Sequence, residues 1–304
     1  MRWLNKMDYD FVGKRYLFMV CSAVLIVISI ISIIAHRGLN LGIDFTGGVL
    51  VQVKFDKPVD IGELRGLFSS AKLPNYNIQN FPVDNTIVLR IKGNLGQSDV
   101  ILKSIKEVLD KISIGGVVIP STVERVEYVG PVIGKYLARQ AVYALLFSFL
   151  GIIVYVAFRF KSSVWGVSGV IALVHDVFIT VGLFSLFDRE ITVTIIAALL
   201  TLAGYSINDT IVIFDRIREN FTLMRKSSLD KIINVSINQT LSRTIITSLT
   251  VEMVLLSLFL FGGEVIHDFS LALLFGCFIG TYSTVFIASP LVYEWLTYRA
   301  KIRK

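Results

Sequence analysis

Six stretches of this chain run apolar for about the length a helix needs to cross a bilayer, roughly twenty residues each. They fall at 16–35, 141–158, 164–187, 191–214, 245–261 and 269–296. Between the first two the pattern changes. Residues 36–139 are charged, punctuated by Gly and Pro, and contain no run long enough to span. Residues 49–55 alternate as a strand does, and 60–71 carry Ile61, Leu64, Leu67 and Phe68 at helical spacing. Two more strands are predicted at 76–81 and 86–92, joined by a turn at Pro82-Val83-Asp84-Asn85. Ser98 is placed to cap a helix burying Ile101, Leu102, Ile105, Val108 and Leu109, after which 117–129 returns as a strand. The order βαββαβ is the ferredoxin-like pattern, in a domain of about ninety residues. The expected fold class is therefore a polytopic α-helical membrane protein of six transmembrane helices with one α+β ferredoxin-like domain. That domain holds no catalytic constellation, so its expected role is interaction or substrate handling.

Composition agrees with this pattern. Apolar residues make up 54% of the 304, and the mean hydropathy of +0.69 is too high for an ordinary soluble protein. The net charge of +7 is not a nucleic-acid footprint, because the basic residues gather beside the spans. Arg159 and Lys161 lie between spans two and three; Arg216, Arg218, Arg225, Lys226, Lys231 and Arg243 between four and five; Arg299, Lys301, Arg303 and Lys304 after six. The opposite loops hold acids, Asp188 and Glu190, then Glu264 and Asp268. Positive charge stays cytoplasmic, so both termini are expected inside and the α+β domain outside. The first span lacks the short apolar core and small-x-small site of a signal peptide and reads as an uncleaved span. Cys21 and Cys277 lie in apolar runs and are expected as small core residues rather than a disulfide. The three histidines have no metal-ligand spacing, and no phosphate-binding loop is present, so neither metal, cofactor nor ATP is expected.

Ionisable residues inside spans are expensive and mark function by default. Asn208 and Asp209 interrupt the fourth span, and Thr194, Thr201, Tyr205, Asn208 and Asp209 fall on or near one side of a helix. This stripe reads either as part of an ion path or as an interhelical hydrogen-bond seam. After it, Ser227-Ser228-Leu229-Asp230 reads as a capping box ahead of Ile232, Ile233, Val235 and Ile237, an amphipathic cytoplasmic helix at about 227–238. Arg243 then stands at the mouth of span five, where it can tune Asp209, form a static ion pair with it, or bind lipid phosphate. His175-Asp176 in span three is a second intramembrane site, on a proton path or, the favoured reading, a structural anchor between helices. Glu252 lies nine residues after Arg243, about 180° round the helix, and is not expected to share its site. A membrane protease would need Ser206 with His175 or His267, but Ser206 lacks a glycine-framed nucleophile motif. Gly276-Cys277-Phe278-Ile279-Gly280 predicts close helix packing.

Five motifs in this order resemble the SecF family of the bacterial protein-export machinery, within the RND superfamily. They are Gly42-Ile43-Asp44-Phe45-Thr46-Gly47-Gly48, Val174-His175-Asp176, Gly204-Tyr205-Ser206-Ile207-Asn208-Asp209-Thr210, Phe214-Asp215-Arg216-Ile217-Arg218-Glu219-Asn220 and Ser236-Ile237-Asn238-Gln239-Thr240-Leu241-Ser242-Arg243-Thr244. The resemblance spans nearly the whole chain. It implies pairing with SecD into a twelve-helix bundle in the bacterial inner membrane, assistance to the SecYEG channel with YajC nearby, and use of the proton-motive force on exported polypeptide. It also implies that Asp209 and Arg243, with Asn208 beside them, lie on the proton path, and that Asp44, Phe45, Gly47 and Gly48 form a structural motif. A small-molecule RND transporter half and a purely structural scaffold are the competing readings.

Overall fold

The computed structural model describes residues 9–70, 76–81, 85–92, 98–109, 113–114 and 117–302. Residues 82–84 of the expected turn, the side chains of Ser98, Ile101 and Leu102, and Arg303 and Lys304 lie outside the described residues. The chain divides into two compact units.

One unit comprises Leu41–Val142 and Glu190–Val193. A short helix, α2 (Ile43–Thr46), leads into β1 (Gly48–Phe55), followed by α3 (Ile61–Ser70), β2 (Tyr76–Phe81), β3 (Thr86–Lys92) and α4 (Ser98–Leu109). A small hairpin of β4 (Ser113–Ile114) and β5 (Val117–Val118) precedes β6 (Ser121–Val129). The expected last strand is thus shorter at its start, its first residues being spent on the hairpin. The sheet runs β2-β3-β1-β6 with every neighbouring pair antiparallel, the ferredoxin-like order. Strand alternation decides its faces. Val49, Val51, Val53 and Phe55 of β1 and Ile87, Leu89 and Ile91 of β3 point to one side, where Leu64, Phe68, Ile105, Val108 and Leu109 cover them. On the other side Leu50 and Val88 pack on Ile43 of α2.

The paired glycines are both required, for different reasons. Gly47 has φ of +77°, a left-handed conformation that costs other residues energy. Gly48 brings β1 so close to β3 that a Cβ would collide with the Ile91 carbonyl oxygen and with Ile43. Gly48→Ala is therefore expected to destabilise the protein by about 1–3 kcal/mol, as overpacking does, read as a lower thermal unfolding midpoint of the purified chain.

The other unit holds most of the helical mass. Its helices include α1 (Arg15–Ala35), α6 (Ser163–Leu186), α8 (Leu229–Phe261) and α9 (Gly263–Ser283), which passes through a π-turn (Thr284–Ala288) into α10 (Ser289–Ile302). Helices α5 (Pro131–Phe160) and α7 (Val193–Leu223) each contribute most of their length. Among the described residues six helical segments are long and apolar enough to span a membrane, the last running Ile266–Ile302 through the π-turn.

The burial pattern is that of a lipid-facing protein. Helix α1 buries Ser22, Ser29 and Ser32 while Val20, Val24, Val27, Ile31 and Ile34 are exposed. Small polar residues let helices approach where hydrocarbon gives apolar faces no reason to hide. Ser29 sits against Gly182 of α6, and the Ser32 and Ser185 hydroxyls are 2.9 Å apart. Cys277 is buried as expected, whereas Cys21 is exposed on α1; both are free thiols.

Helix α8 revises one expectation. The amphipathic segment is not separate from span five: 33 residues form one helix, with Ile232, Ile233 and Ile237 buried at its start. Ser228 occupies the N-cap with extended backbone, but its side chain makes no capping bond. The polar work there is done by asparagines one turn apart. Asn234 Oδ1 accepts the Phe11 and Val12 amides, both at 2.9 Å, and Asn238 pairs with both backbone groups of Tyr9 at 3.1 and 2.9 Å. Asp10 accepts the Gly13 amide and the Asn234 side chain, each at 2.8 Å. Those two bonds, the Gly13 amide foremost, hold its carboxyl below the usual aspartate range.

Candidate functional site: an intramembrane carboxylate network

Helix α7 carries two polar faces. The residues expected on one stripe are divided by the packing: Thr194, Thr201 and Asn208 are exposed, Tyr205 is half-buried and Asp209 is 8% exposed. Asp209 sits at the edge of the stripe and turns inward. Thr201 donates to the Ala197 carbonyl at 2.8 Å, a back-bond that quiets its hydroxyl.

Beside Asp209 a chain of three hydroxyls is centred on Ser248, with Ser248 and Thr281 from two other helical segments and Tyr205 from α7 itself. Ser248 of α8 lies 3.4 Å from Asp209 Oδ2 and 2.7 Å from the hydroxyl of Thr281 in α9. Tyr205 donates toward Ser248 at 3.4 Å, and Thr281 toward the Cys277 carbonyl at 2.9 Å. Arg243 is exposed on α8 and near enough for its charge to act on Asp209. Among the described residues no ion pair within 4.0 Å joins the two, so the static-pair reading does not describe this conformation. Glu252, expected on the far side of the helix from Arg243, lines a groove that includes neither Arg243 nor Asp209. It shares this groove of about 350 Å³ with Ser248, Thr281, Tyr282 and Phe286.

The second face of α7 meets Asp176, which is fully buried. Its Oδ2 accepts Ser206 of α7 at 2.7 Å and Ser283 of α9 at 2.8 Å, while Oδ1 lies 2.9 Å from His175 Nδ1. One turn further on, the Thr210 and Thr284 hydroxyls are 2.9 Å apart, at the start of the π-turn. Gly276 and Gly280 allow this approach, since a Cβ at Gly280 would press on Ser206 and one at Gly276 on Leu202. The GxxxG is thus the seat of α7. The pair a protease would need is broken by order: Asp176 stands between Ser206 and His175, so the imidazole is not the serine's base. His267 is engaged with Asp268 at 3.1 Å.

At the basic end of α7 a clasp joins it to α8. Asn220 is 2% exposed and donates to Ser236 at 2.8 Å and to Gln239 at 2.9 Å, and Arg216 reaches Gln239 at 2.6 Å. Asp215 pairs with Arg159 at 3.0 Å. The two motifs at 214–220 and 236–244 thus meet in space, and each supplies half of the clasp. Sequence reasoning overlooked Asn220, Ser248, Thr281 and Ser283, because single hydroxyls and amides at helical positions carry no pattern until their partners are known.

Comparisons with known proteins place this architecture. The family model described as protein export membrane protein SecD/SecF, C-terminal, matches residues 116–298, and the SecD/SecF GG motif matches 32–59. The protein translocase subunit SecF of Endomicrobium trichonymphae is 45% identical over 97% of this chain and 94% of its own length. That of Escherichia coli O157:H7 is 41% identical, over 93% and 86% respectively. The crystal structure of SecDF from Thermus thermophilus, a translocon-associated membrane protein, superposes with a TM-score of 0.84 at 36% identity. It covers 97% of this chain, which in turn spans only 40% of that longer protein. A multi-pass helical body, a GG motif and near full-length identity to translocase subunits agree, and the chain belongs to the SecF family.

Proposed function

We propose that this chain is the SecF-type half of a proton-driven export motor. With SecD it would form a twelve-helix assembly in the bacterial inner membrane, adjoining SecYEG and YajC and drawing preproteins outward. Both termini would be cytoplasmic, and the α+β unit would face outward, where it meets exported polypeptide or the parts that grip it. The observation that carries the reading is Asp209, a buried mid-span carboxylate at the end of a hydroxyl chain, with the Arg243 charge in range.

That chain has the chemistry of a relay. Each hydroxyl owns one hydrogen. Ser248 either donates to Asp209 while accepting from Thr281, or donates to Thr281 while Thr281 donates to the Cys277 carbonyl. Switching between the two moves the hydrogen presented to Asp209 without moving a helix. One charge crossing 100 mV releases about 2.3 kcal/mol, which suffices to bias a domain movement of similar size. The exposed face of α7, Thr194, Thr201, Gly204 and Asn208, supports a SecD partner, since small and polar residues are what packed transmembrane helices use.

The test replaces Asp209 with Asn in membranes that contain SecD, and reads preprotein export and gradient-dependent ion flux together. Loss of both with an intact complex supports the motor. Unchanged export and flux would leave a scaffold.

A further inference from the structure

The family resemblance gives the Asp44 motif no task beyond structure, and the proposed relay uses neither Glu190 nor its partners. These residues meet within the α+β unit. Four residues that lead into α7, Glu190–Val193, fold with this unit rather than with the helical one. Three independent contacts hold them. Glu190, 6% exposed, lies 3.3 Å from Arg90 Nε and 3.1 Å from Lys92 Nζ, both on β3. The Gly42 amide donates to the Ile191 carbonyl at 2.8 Å, part of an isolated parallel bridge between Leu41 and Ile191. Asp44 Oδ2 accepts the amide of Val193, the first residue of α7, at 2.8 Å.

The last contact is an N-cap supplied from 149 residues away. A helix usually caps itself with the residue just before it, and the first amides of α7 could be satisfied by local side chains or water. Here a carboxylate in the GG motif does so, and negative charge at a helix N-terminus is favoured by the helix dipole. The buried Glu190 points the same way. Two cations on one strand hold it, and losing a partner from a buried ion pair is strongly unfavourable. The segment is therefore fixed to β3 through Glu190 and to α2 through Val193. Gly47 and Gly48 set the approach of α2 to the sheet, and so the position of Asp44.

We propose that Asp44 and the Glu190–Arg90–Lys92 cluster are a mechanical coupling, through which displacement of α7 passes to the α+β unit. They are positioning residues that touch no proton. The inference rests on the reading of Asp209 as an ion-path residue on that same helix. It predicts a separation that a merely structural role would not give: ion flux without work.

The experiment uses the assembled complex with SecD and compares Asp44→Ala, Asp44→Asn and Glu190→Gln with Asp209→Asn. For Asp44→Ala and Glu190→Gln, export is expected to fall about tenfold while Asp209-dependent flux stays within about twofold, in the usual range for coupling between sites. Asp44→Asn keeps an oxygen for the Val193 amide and is expected to retain most export. Hydrogen exchange at Val193 should quicken in Asp44→Ala and not in Asp44→Asn. Unchanged export in both Asp44→Ala and Glu190→Gln overturns the coupling, and so does flux that falls together with export. Should Asp44→Ala fail to assemble, Glu190→Gln, which keeps the shape of the side chain, decides alone. The control separates the two claims: if Asp209→Asn itself changes neither readout, the motor reading has failed and the coupling falls with it.

Discussion

Asp209→Asn is expected to abolish gradient-dependent ion flux and to slow preprotein export by about tenfold or more, with the complex still assembled. The asparagine keeps the volume of the carboxylate and an oxygen that accepts from Ser248, so the contacts of α7 with α8 and α9 survive. What it loses is the ability to bind and release a proton. Flux measured with a pH-sensitive dye in sealed vesicles, beside protease protection of exported substrate, reads the two consequences separately. Arg243 gives the graded companion. No ion pair within 4.0 Å joins it to Asp209 among the described residues, so a role on the proposed path would be exerted through charge, and Arg243→Lys is expected to keep more flux than Arg243→Gln. A flux equal in the two variants would assign Arg243 another task, such as holding lipid phosphate.

The second large effect is expected at Asp176, and it is of the opposite kind. Asp176→Ala removes the acceptor for Ser206 and Ser283 at once, in a place that water does not reach. An unsatisfied buried hydroxyl costs about 1–3 kcal/mol, so the variant should lose several degrees of thermal stability and much of its yield. Asp176→Asn presents one oxygen to the same two hydroxyls and is expected to restore stability with flux intact. That pair of results makes Asp176 the anchor between α6, α7 and α9. Flux lost in a stable Asp176→Asn protein would instead put it on the ion path.

The sequence was most informative where a residue's role depends on its own segment. Strands β1 to β3 were legible because Val49, Val51 and Val53 alternate with residues that face the other way. The six spans were legible because length and apolarity alone define them. Asp209 and Asp176 stood out because carboxylates are rare at that depth. Legibility failed where the partner lies far along the chain. Ser248 and Thr281 are ordinary hydroxyls until Asp209 stands beside them, and Asn220 is ordinary until it meets Ser236 and Gln239. The helical wheel misled in a related way. It grouped Thr194, Thr201, Asn208 and Asp209 on one stripe, but neighbours divide a stripe: α8 and α9 took Asp209 and left the others exposed. It kept Glu252 apart from Arg243, and the groove that Glu252 lines includes neither Arg243 nor Asp209. The expected boundary within α8 vanished because amphipathic and apolar segments continue without a break when no Gly or Pro intervenes.

The exposed face of α7 also bears on how the protein is made. A newly inserted copy with no companion holds the exposed Asn208 amide and the uncovered backbone at Gly204 toward hydrocarbon, where the amide finds no partner. If the proposed SecD companion covers this face, copies made in excess of it are expected to be degraded sooner than paired ones, which a pulse-chase with and without SecD would read. The lifetime of the chain would then be set by a side of a helix that its own fold leaves uncovered.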